Sequence, residues 1–291
     1  MLSLHTNAAA LSAQNSITRT QNGLSTSMTR LSTGLRINSA MDDAAGLQIA
    51  TRLKVQTSGM GVAMRNTQNS ISLLQTGEGA LDEVTSILNR MKDLATQAAD
   101  GSSTANDKTA MQSEFNSLTS ELSNIMSNTK FGGTALLNKT SGKLAAAVDF
   151  QIGADSAEKL TANFSTSLTA IDTAIEAVSA DYDGATGAAA TGTTTELTAS
   201  ANATIDKVAT AIDKVSALRS DLGAVSNRLD HVYNNLANIS TNTKNATGRI
   251  MDVDFASESA KMTSSQMLLQ AGTAMLKQSN SQSSLVLSLL Q

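Results

Sequence analysis

Apolar residues recur along most of this chain at steps of three and four, the pattern of one buried face on an α-helix. Leu24, Met28, Leu31 and Leu35 make an early stripe, which Gly34 loosens near its end. Ser39 with Asp42 three residues on reads as a capping box, so a helix is predicted from about Ala40 through Ala44, Leu47, Ile49 and Leu53. The stripe resumes at Ile71, Leu74, Leu81, Val84, Leu88 and Met91 and stops near Asp100 and Gly101. Gly77 and Gly79 read as interruptions that cost about 1 kcal/mol each relative to Ala. A second capping box, Thr104 to Asp107, restarts the pattern through Phe115, Leu118, Leu122 and Ile125 to Lys130, whose charge suits the negative end of a helix dipole. Gly132 and Gly133 then force a turn.

Between Thr134 and about Ser167 the period changes. Val148, Phe150 and Ile152 alternate with Asp149 and Gln151, Gly153 to Glu158 offers a turn, and Leu160 to Phe164 follows, which predicts a small β-hairpin or meander. Helical spacing returns at Leu168, Ile171, Ile175 and Val178, whereas Gly184 to Thr195 is a Gly, Ala and Thr run expected to form a surface loop or linker. The most regular stripe comes late. Leu222, Val225, Leu229, Val232, Leu236 and Ile239 alternate three and four as an inter-helix seam, preceded by Val208, Ile212, Val215 and Leu218. Each seam must bury its stripe, so the late helix is expected to pack on the early ones with the middle looping outward. The predicted fold is mainly α: a long antiparallel helical coiled-coil bundle formed by N- and C-terminal segments, with a small β-hairpin region in the middle.

The two ends are amphipathic and nearly free of charge. Leu2 to Thr18 carries only His5, and Gln278 to Gln291 carries no ionisable side chain. Leu285, Val286, Leu287, Leu289 and Leu290 are too short a run to span a membrane but apolar enough to require a partner, expected to be another protein helix. With no Trp, five Phe and two Tyr, the core must be aliphatic and methionine-rich. A net charge of -4 gives no reason to expect nucleic acid or an acidic membrane surface. Zero cysteines excludes disulfides and thiolate metal sites. Zero prolines removes slow X-Pro isomerisation and breaks no helix, which suits a chain threaded unfolded to its destination as well as it suits simple helix selection. No cleavable secretory signal and no transmembrane helix is expected.

His5 and His231 lie in separate segments, outside any metal-spaced cluster, and read as solvated or packed side chains. Asp181, Asp183 and Gly184 begin like a calcium loop, but Gly192 stands where its last glutamate belongs. Asp42 and Asp43 diverge by about 100° on a helix, so capping explains them better than paired acid-base work. There is no phosphate-cradling G-x-x-x-x-G-K-[ST], no G-x-S-x-G, and Gly77-Glu78-Gly79 lacks the rest of a dinucleotide fingerprint. No enzyme activity, cofactor or metal is therefore expected.

Residues 29–53, TRLSTGLRINSAMDDAAGLQIATRL, closely resemble the N-terminal signature of bacterial flagellins. ILNRMKDLATQAADG at 87–101, NTKFGGTALLN at 128–138, GAVSNRLDHVYNNLANIS at 223–240, and QMLLQAG with LVLSLL near the C-terminus resemble flagellin segments in the expected order. The resemblance covers about 140 residues at the start and about 80 at the end. Met41 departs from it, standing where many relatives have lysine, and the tail at Gln278 to Ser284 lacks the proline some relatives carry.

The resemblance implies an inner terminal coiled-coil domain of residues 1–42 and 256–291, a helical-bundle domain with a β-hairpin of residues 43–167 and 196–255, and a short variable surface insertion at 168–195. It implies an extracellular subunit that self-polymerises into the flagellar filament used for motility, with assembly coupled to folding of the termini. Leu24, Met28, Leu31, Leu35, Leu285, Leu287, Leu289 and Leu290 would be its polymerisation core. Export would proceed without a cleavable signal, through the flagellar type III apparatus, with a chaperone on the C-terminal segment. Hook-associated and cap proteins would be further partners. Arg90, Leu94, Gln97 and Glu114 match family positions recognised by the vertebrate flagellin-sensing Toll-like receptor; subunit contact or a solvated face is the plainer reading of the same residues. Ser and Thr between 140 and 200 are candidate O-glycan acceptors. The rival readings are a hook-filament junction protein, a cytoplasmic coiled-coil signalling module, and an enzyme grafted into the middle.

Overall fold

The computed structural model describes residues 7–186 and 195–289, with the side chains of the last helix described to residue 281. Among these residues the chain forms α1 (Ala8–Thr33), α2 (Ala44–Ala99), α3 (Ala105–Asn128), β1 (Lys130–Phe131), β2 (Thr134–Ala135), β3 (Ala147–Gln151), β4 (Lys159–Asn163), α4 (Ser165–Val178), α5 (Glu196–Met251) and α6 (Phe255–Leu289). A single 3-10 turn, Lys143–Ala145, precedes β3. The strands pair as two separate antiparallel ladders, β1 with β2 and β3 with β4. Helix dominates, with hairpins confined to the middle, as the periodicities require.

The chain divides into two compact units, Met1–Thr57 with Thr241–Gln291, and Ser58–Ser240. The division does not fall at the expected 42 and 256. In the first unit the two helix connections are tied together: Leu35 bridges Asp252, the Arg36 N–H donates to Met251 O at 2.6 Å, and the Val253 N–H donates to Gly34 O at 3.0 Å. Ile37, 1% exposed, packs on the first turn of α2 at Gly46, where a Cβ would come within 2.9 Å of its Cδ1. These contacts attach the start of α2 and the end of α5 to the terminal helices.

Ser39 and Asp42 do not start a helix. Asp42 accepts from the Asn38 and Ser39 N–H groups at 3.1 and 3.0 Å and closes a turn, while Asp43 Oδ1 takes the Gly46 N–H at 2.8 Å and caps α2 one turn later. Gly34 is the left-handed C-cap of α1 at φ 72, its N–H donating to Arg30 O, and Leu35 lies beyond the helix.

In the second unit α2 buries Met60, Ala63, Thr67, Leu74, Gly77, Leu81, Val84, Leu88, Met91, Ala95 and Ala98, at alternating three- and four-residue steps but for one full heptad between Thr67 and Leu74. Gly77 is thus a member of the seam instead of a break in it. Opposite, α5 buries Val208, Ala211, Val215, Leu218, Leu222, Leu229 and Leu236; Ile212, Val225 and Val232 are half-buried, and Ile239 is exposed where Ser240 turns inward. The six-residue seam therefore holds through Leu236 and ends before Ile239. Arg219 forks beside it, 2.8 Å from Glu78 Oε1 and 2.9 Å from Asp82 Oδ1.

The Thr104–Asp107 capping box is formed in both directions and starts α3, whose Met111, Phe115, Leu122 and Met126 join the same core. The helix ends at Asn128, and Lys130 belongs to β1, opposite Ala135. Gly132 and Gly133, at φ 57 and 82, supply the two left-handed residues of that tight turn. In the second hairpin Val148 and Phe150 face the core with Leu160 and Ala162, in the register Val148 to Ala162 and Phe150 to Leu160. Residues 168–195 are not a surface insertion throughout: Leu168, Ile171, Ile175 and Val178 of α4 are buried in the main core, because four apolar residues on one face demand cover. Residues 187–194, within the expected loop, lie outside the described residues.

A Cβ at Gly77 would meet Leu144 Cδ1 at 3.5 Å and Leu222 Cδ1 at 3.9 Å, ordinary contacts. Gly77→Ala is accordingly expected to stabilise the second unit by about 1 kcal/mol, read as a higher urea midpoint. A lower midpoint would mean that the seam at this level requires a bare backbone.

Candidate assembly surface

The terminal helices α1 and α6 form an antiparallel pair within the first unit. Asn7 Nδ2 donates to Ser279 O at 3.3 Å at one end, and the Ser27 hydroxyl donates to Glu258 Oε1 at 2.6 Å at the other. The inward positions keep a strict heptad: Ala10, Ala13, Ile17, Thr20, Leu24, Ser27 and Leu31 on α1, with Glu258, Met262, Ser265, Leu269, Gly272, Leu276 and Ser279 on α6. Many of these side chains are small. A Cβ at Gly272 would lie 2.9 Å from Ile17 Cγ1, so the helices approach closely there. Two helices can cover only one stripe of each other, and of the described seam positions just Ser27 and Glu258 are fully buried.

Polar contacts secure the pair where apolar burial is thin. Glu258, 5% exposed, receives the Ser27 hydroxyl and has Arg30 Nη1 at 4.0 Å and Lys261 Nζ at 3.9 Å. Arg30 reaches Asp42 Oδ1 at 3.3 Å, and Arg36 Nη2 donates to Ile250 O at 2.8 Å. Asp254 caps α6, accepting from the Ala256 N–H at 3.0 Å and the Ser257 hydroxyl at 2.8 Å. The Ser257 hydroxyl, then backbone N–H groups, hold Asp254 below the usual carboxylate range, and the Ser39 and Asn38 N–H groups do the same for Asp42.

Outside the seam the described residues of the pair are mostly polar, but several large apolar side chains stay exposed. Met267, Leu268 and Met275 on α6 are 60%, 59% and 67% exposed, and Leu11 and Met28 on α1 are 55% exposed each. An open groove of about 480 Å³ runs along α1, lined by Gln21, Leu24, Ser25, Met28, Thr29, Ser32 and Thr33. Of the predicted polymerisation core, Leu24 and Leu31 lie half-buried in the seam, Met28 faces outward, and Leu35 sits in the Asp252 bridge. Leu285, Leu287 and Leu289 fall where the α6 backbone alone is described, and Leu290 lies outside the described residues. Sequence reasoning missed Met267, Leu268 and Met275. Their signal was phase: they are the apolar residues left over once Met262, Leu269 and Leu276 are assigned to the seam.

In the second unit, Arg90 donates through Nε and Nη2 to Glu114 Oε1 at 2.9 and 2.6 Å, joining the exposed faces of α2 and α3. Gln97 is exposed near the end of α2, its carbonyl accepting the Ser103 hydroxyl at 2.8 Å. Leu94 is 2% exposed and belongs to the core, so this structure leaves three of the four candidate receptor residues at the surface. Helical spacing alone could not place it, because the seam residues Met91 and Ala95 carry Leu94 inward with them.

Among the described residues no group of His, Cys, Asp and Glu could hold a metal ion, and no helix is long and apolar enough to cross a membrane. The Asp183 carboxylate instead receives the Ala185 and Thr186 N–H groups and the Thr186 hydroxyl, an Asx-type turn.

Paired terminal helices with several exposed apolar side chains, together with a helical bundle bearing short hairpins, define a mainly α-helical protein of two units. The model of the bacterial flagellin N-terminal helical region matches residues 4–142, and that of the bacterial flagellin C-terminal helical region matches residues 205–290, together well over half of the chain. The chain belongs to the bacterial flagellin family, whose members are structural proteins of the filament. It is 48% identical over 162 residues to flagellin C of Vibrio cholerae serotype O1, covering 56% of this chain and 42% of that protein. It is 51% identical over 157 residues to polar flagellin F of Vibrio parahaemolyticus serotype O3:K6, covering 54% and 41%. The matched region thus spans about two fifths of the length of these curated relatives. The crystal structure of Bacillus cereus flagellin is 34% identical, with a TM-score of 0.46 over 59% of this chain and 88% of that one.

Glu258→Ala removes the acceptor of Ser27 and is expected to destabilise the terminal pair by on the order of 1–3 kcal/mol, measured as faster amide exchange along α6. Unchanged exchange would assign the pairing to the apolar seam alone. The exposed Arg90–Glu114 pair is expected to show a coupling of less than about 1 kcal/mol in a double-mutant cycle.

Proposed function

We propose that this chain is a structural subunit that self-polymerises into the helical filament of the bacterial flagellum, used for motility. The observation that carries this reading is the exposed apolar stripe of Met267, Leu268 and Met275 on a helix pair that buries little within its own chain. Such a pair is marginal alone, and covering the stripe with neighbouring copies offsets the entropy of ordering the ends. Assembly is then coupled to folding of the termini. One patch meeting a different patch on the next copy, related by a screw operation, yields an open filament instead of a closed ring.

The remaining parts follow from the family. The chain acts as a structural protein without catalysis, works outside the cell, and leaves it through the flagellar export apparatus. A chaperone holds the C-terminal segment beforehand, and hook-associated and cap proteins bound the growing polymer. Arg90, Gln97 and Glu114 offer an exposed face for the host flagellin-sensing Toll-like receptor or for a neighbouring subunit.

Seeded polymerisation of the purified chain, followed by sedimentation and electron microscopy, tests the reading. The intact chain is expected to elongate a matching seed. A form lacking residues 1–40 and 256–291, and the triple variant Met267→Ser, Leu268→Ser, Met275→Ser, are expected to fail while the second unit stays folded by circular dichroism. Full elongation by the triple variant would remove the stripe from the assembly surface. An intact chain that never elongates would return the junction-protein reading.

A further inference from the structure

One acid in the second unit is fully buried. Asp172 lies on the core face of α4 among Leu168, Ile171 and Ile175 and is 0% exposed. The Tyr182 hydroxyl donates to its Oδ1 at 2.7 Å, and Oδ2 meets no donor among the described residues. Tyr182 belongs to the segment 179–186 that follows α4. Gly184 in that segment lies so close that a Cβ would overlap both the Tyr182 hydroxyl and the Asp172 carboxyl. Two neutral hydrogen bonds anchor the rest of it: the Asp183 N–H donates to Ser123 Oγ at 3.2 Å, and Asn138 Nδ2 donates to Ala185 O at 2.6 Å.

A buried carboxylate with no bonded cation is costly, whereas a neutral carboxyl in the same place is tolerated. The charged groups that face Asp172 relieve it only in part. Lys139 is committed to Glu176, with Nζ 2.5 Å from Oε1, and Glu176 itself repels a second negative charge. Burial, more than any charge, keeps the Tyr182 phenol protonated and donating, and Asp183 beyond it acts in the same direction.

We propose that Asp172 and Tyr182 form a protonation-set latch: the neutral carboxyl holds residues 179–186 closed over α4, and ionisation of that carboxyl favours opening of the segment. Burial, more than any neighbour, pushes the Asp172 carboxyl above its ordinary value of 3.8, partly offset by the Tyr182 hydroxyl and by Lys139. A raised carboxyl contributes fully below the ordinary value, and its contribution is lost as pH climbs through the folded value, after which it changes no further. Each unit of elevation appears as about a ten-fold increase in the opening constant. Ser123 and Asn138 keep the event local.

The test is amide exchange of residues 179–186 in the full chain between pH 4 and 9, corrected for intrinsic rates. Tyrosine fluorescence accompanies it in a Tyr233→Phe background, where Tyr182 is the only tyrosine of a chain without Trp. Opening is expected to rise with pH to a plateau, by about ten-fold for each unit of that elevation, with the Tyr182 emission changing over the same interval. Asp172→Asn is expected to flatten both. Tyr182→Phe is expected to move the plateau to higher pH, because the hydroxyl it removes favours the ionised carboxyl. Opening that is independent of pH in the unmutated chain, or an undiminished rise in Asp172→Asn, overturns the latch.

Discussion

Cover for a helix stripe is the constraint on which both units depend, and they meet it differently. In the second unit α2 is surrounded by enough chain that Leu81, Val84 and Leu88 are fully buried, with α3, α5 and the hairpins supplying the walls. In the first unit α1 and α6, among the described residues, bury one stripe against each other and leave most of their remaining surface exposed. Ile17, Leu24, Leu269 and Leu276 stay half-buried in an equally regular heptad. The difference lies in what stands around the stripe, since the stripe itself is as well formed in one unit as in the other.

Features set by neighbours along the chain were legible in the sequence. The Thr104–Asp107 box, the Gly132-Gly133 turn, the alternation from Val148 to Phe150 and the late seam through Leu236 are each decided within a few residues. What needed the third dimension was not. Gly77 reads as a defect until Leu144 and Leu222 are seen beside it. Leu94 shares a helix with exposed Arg90 and Gln97, and only the position of the core shows that it turns inward. Ser39 and Asp42 form only half of a box, the Ser39 N–H donating to the Asp42 carboxylate, and no helix follows, because Asp43 takes the cap by accepting the Gly46 N–H. Met28 fitted an apolar stripe four residues from Leu24, but the seam continues through Ser27 instead, a polar residue that pattern reading discounts.

That choice of Ser27 matters for the candidate surface. Apolar contacts along α1 and α6 are weakly directional, so a small shift of one helix on the other changes their burial little. Ser27 and Glu258, with Arg30, Lys261 and the bridge from Leu35 to Asp252, concentrate directional contacts at one end of the pair. Alignment is set at that end, and the heptad then carries it outward. Met28, displaced from the seam by Ser27, remains free to face another chain.

Gly272 carries the final consequence. A glycine inside a long helix is conformationally expensive, yet the space opposite is already filled by Ile17. Any side chain there widens the distance between two helix axes. In an isolated molecule such a widening is trivial. In the screw-related polymer proposed above, each copy would inherit the same offset, and a length that is negligible once would become a change of diameter and pitch over many repeats. At that position the chain holds a manufacturing tolerance, and the smallest residue is what keeps the dimension.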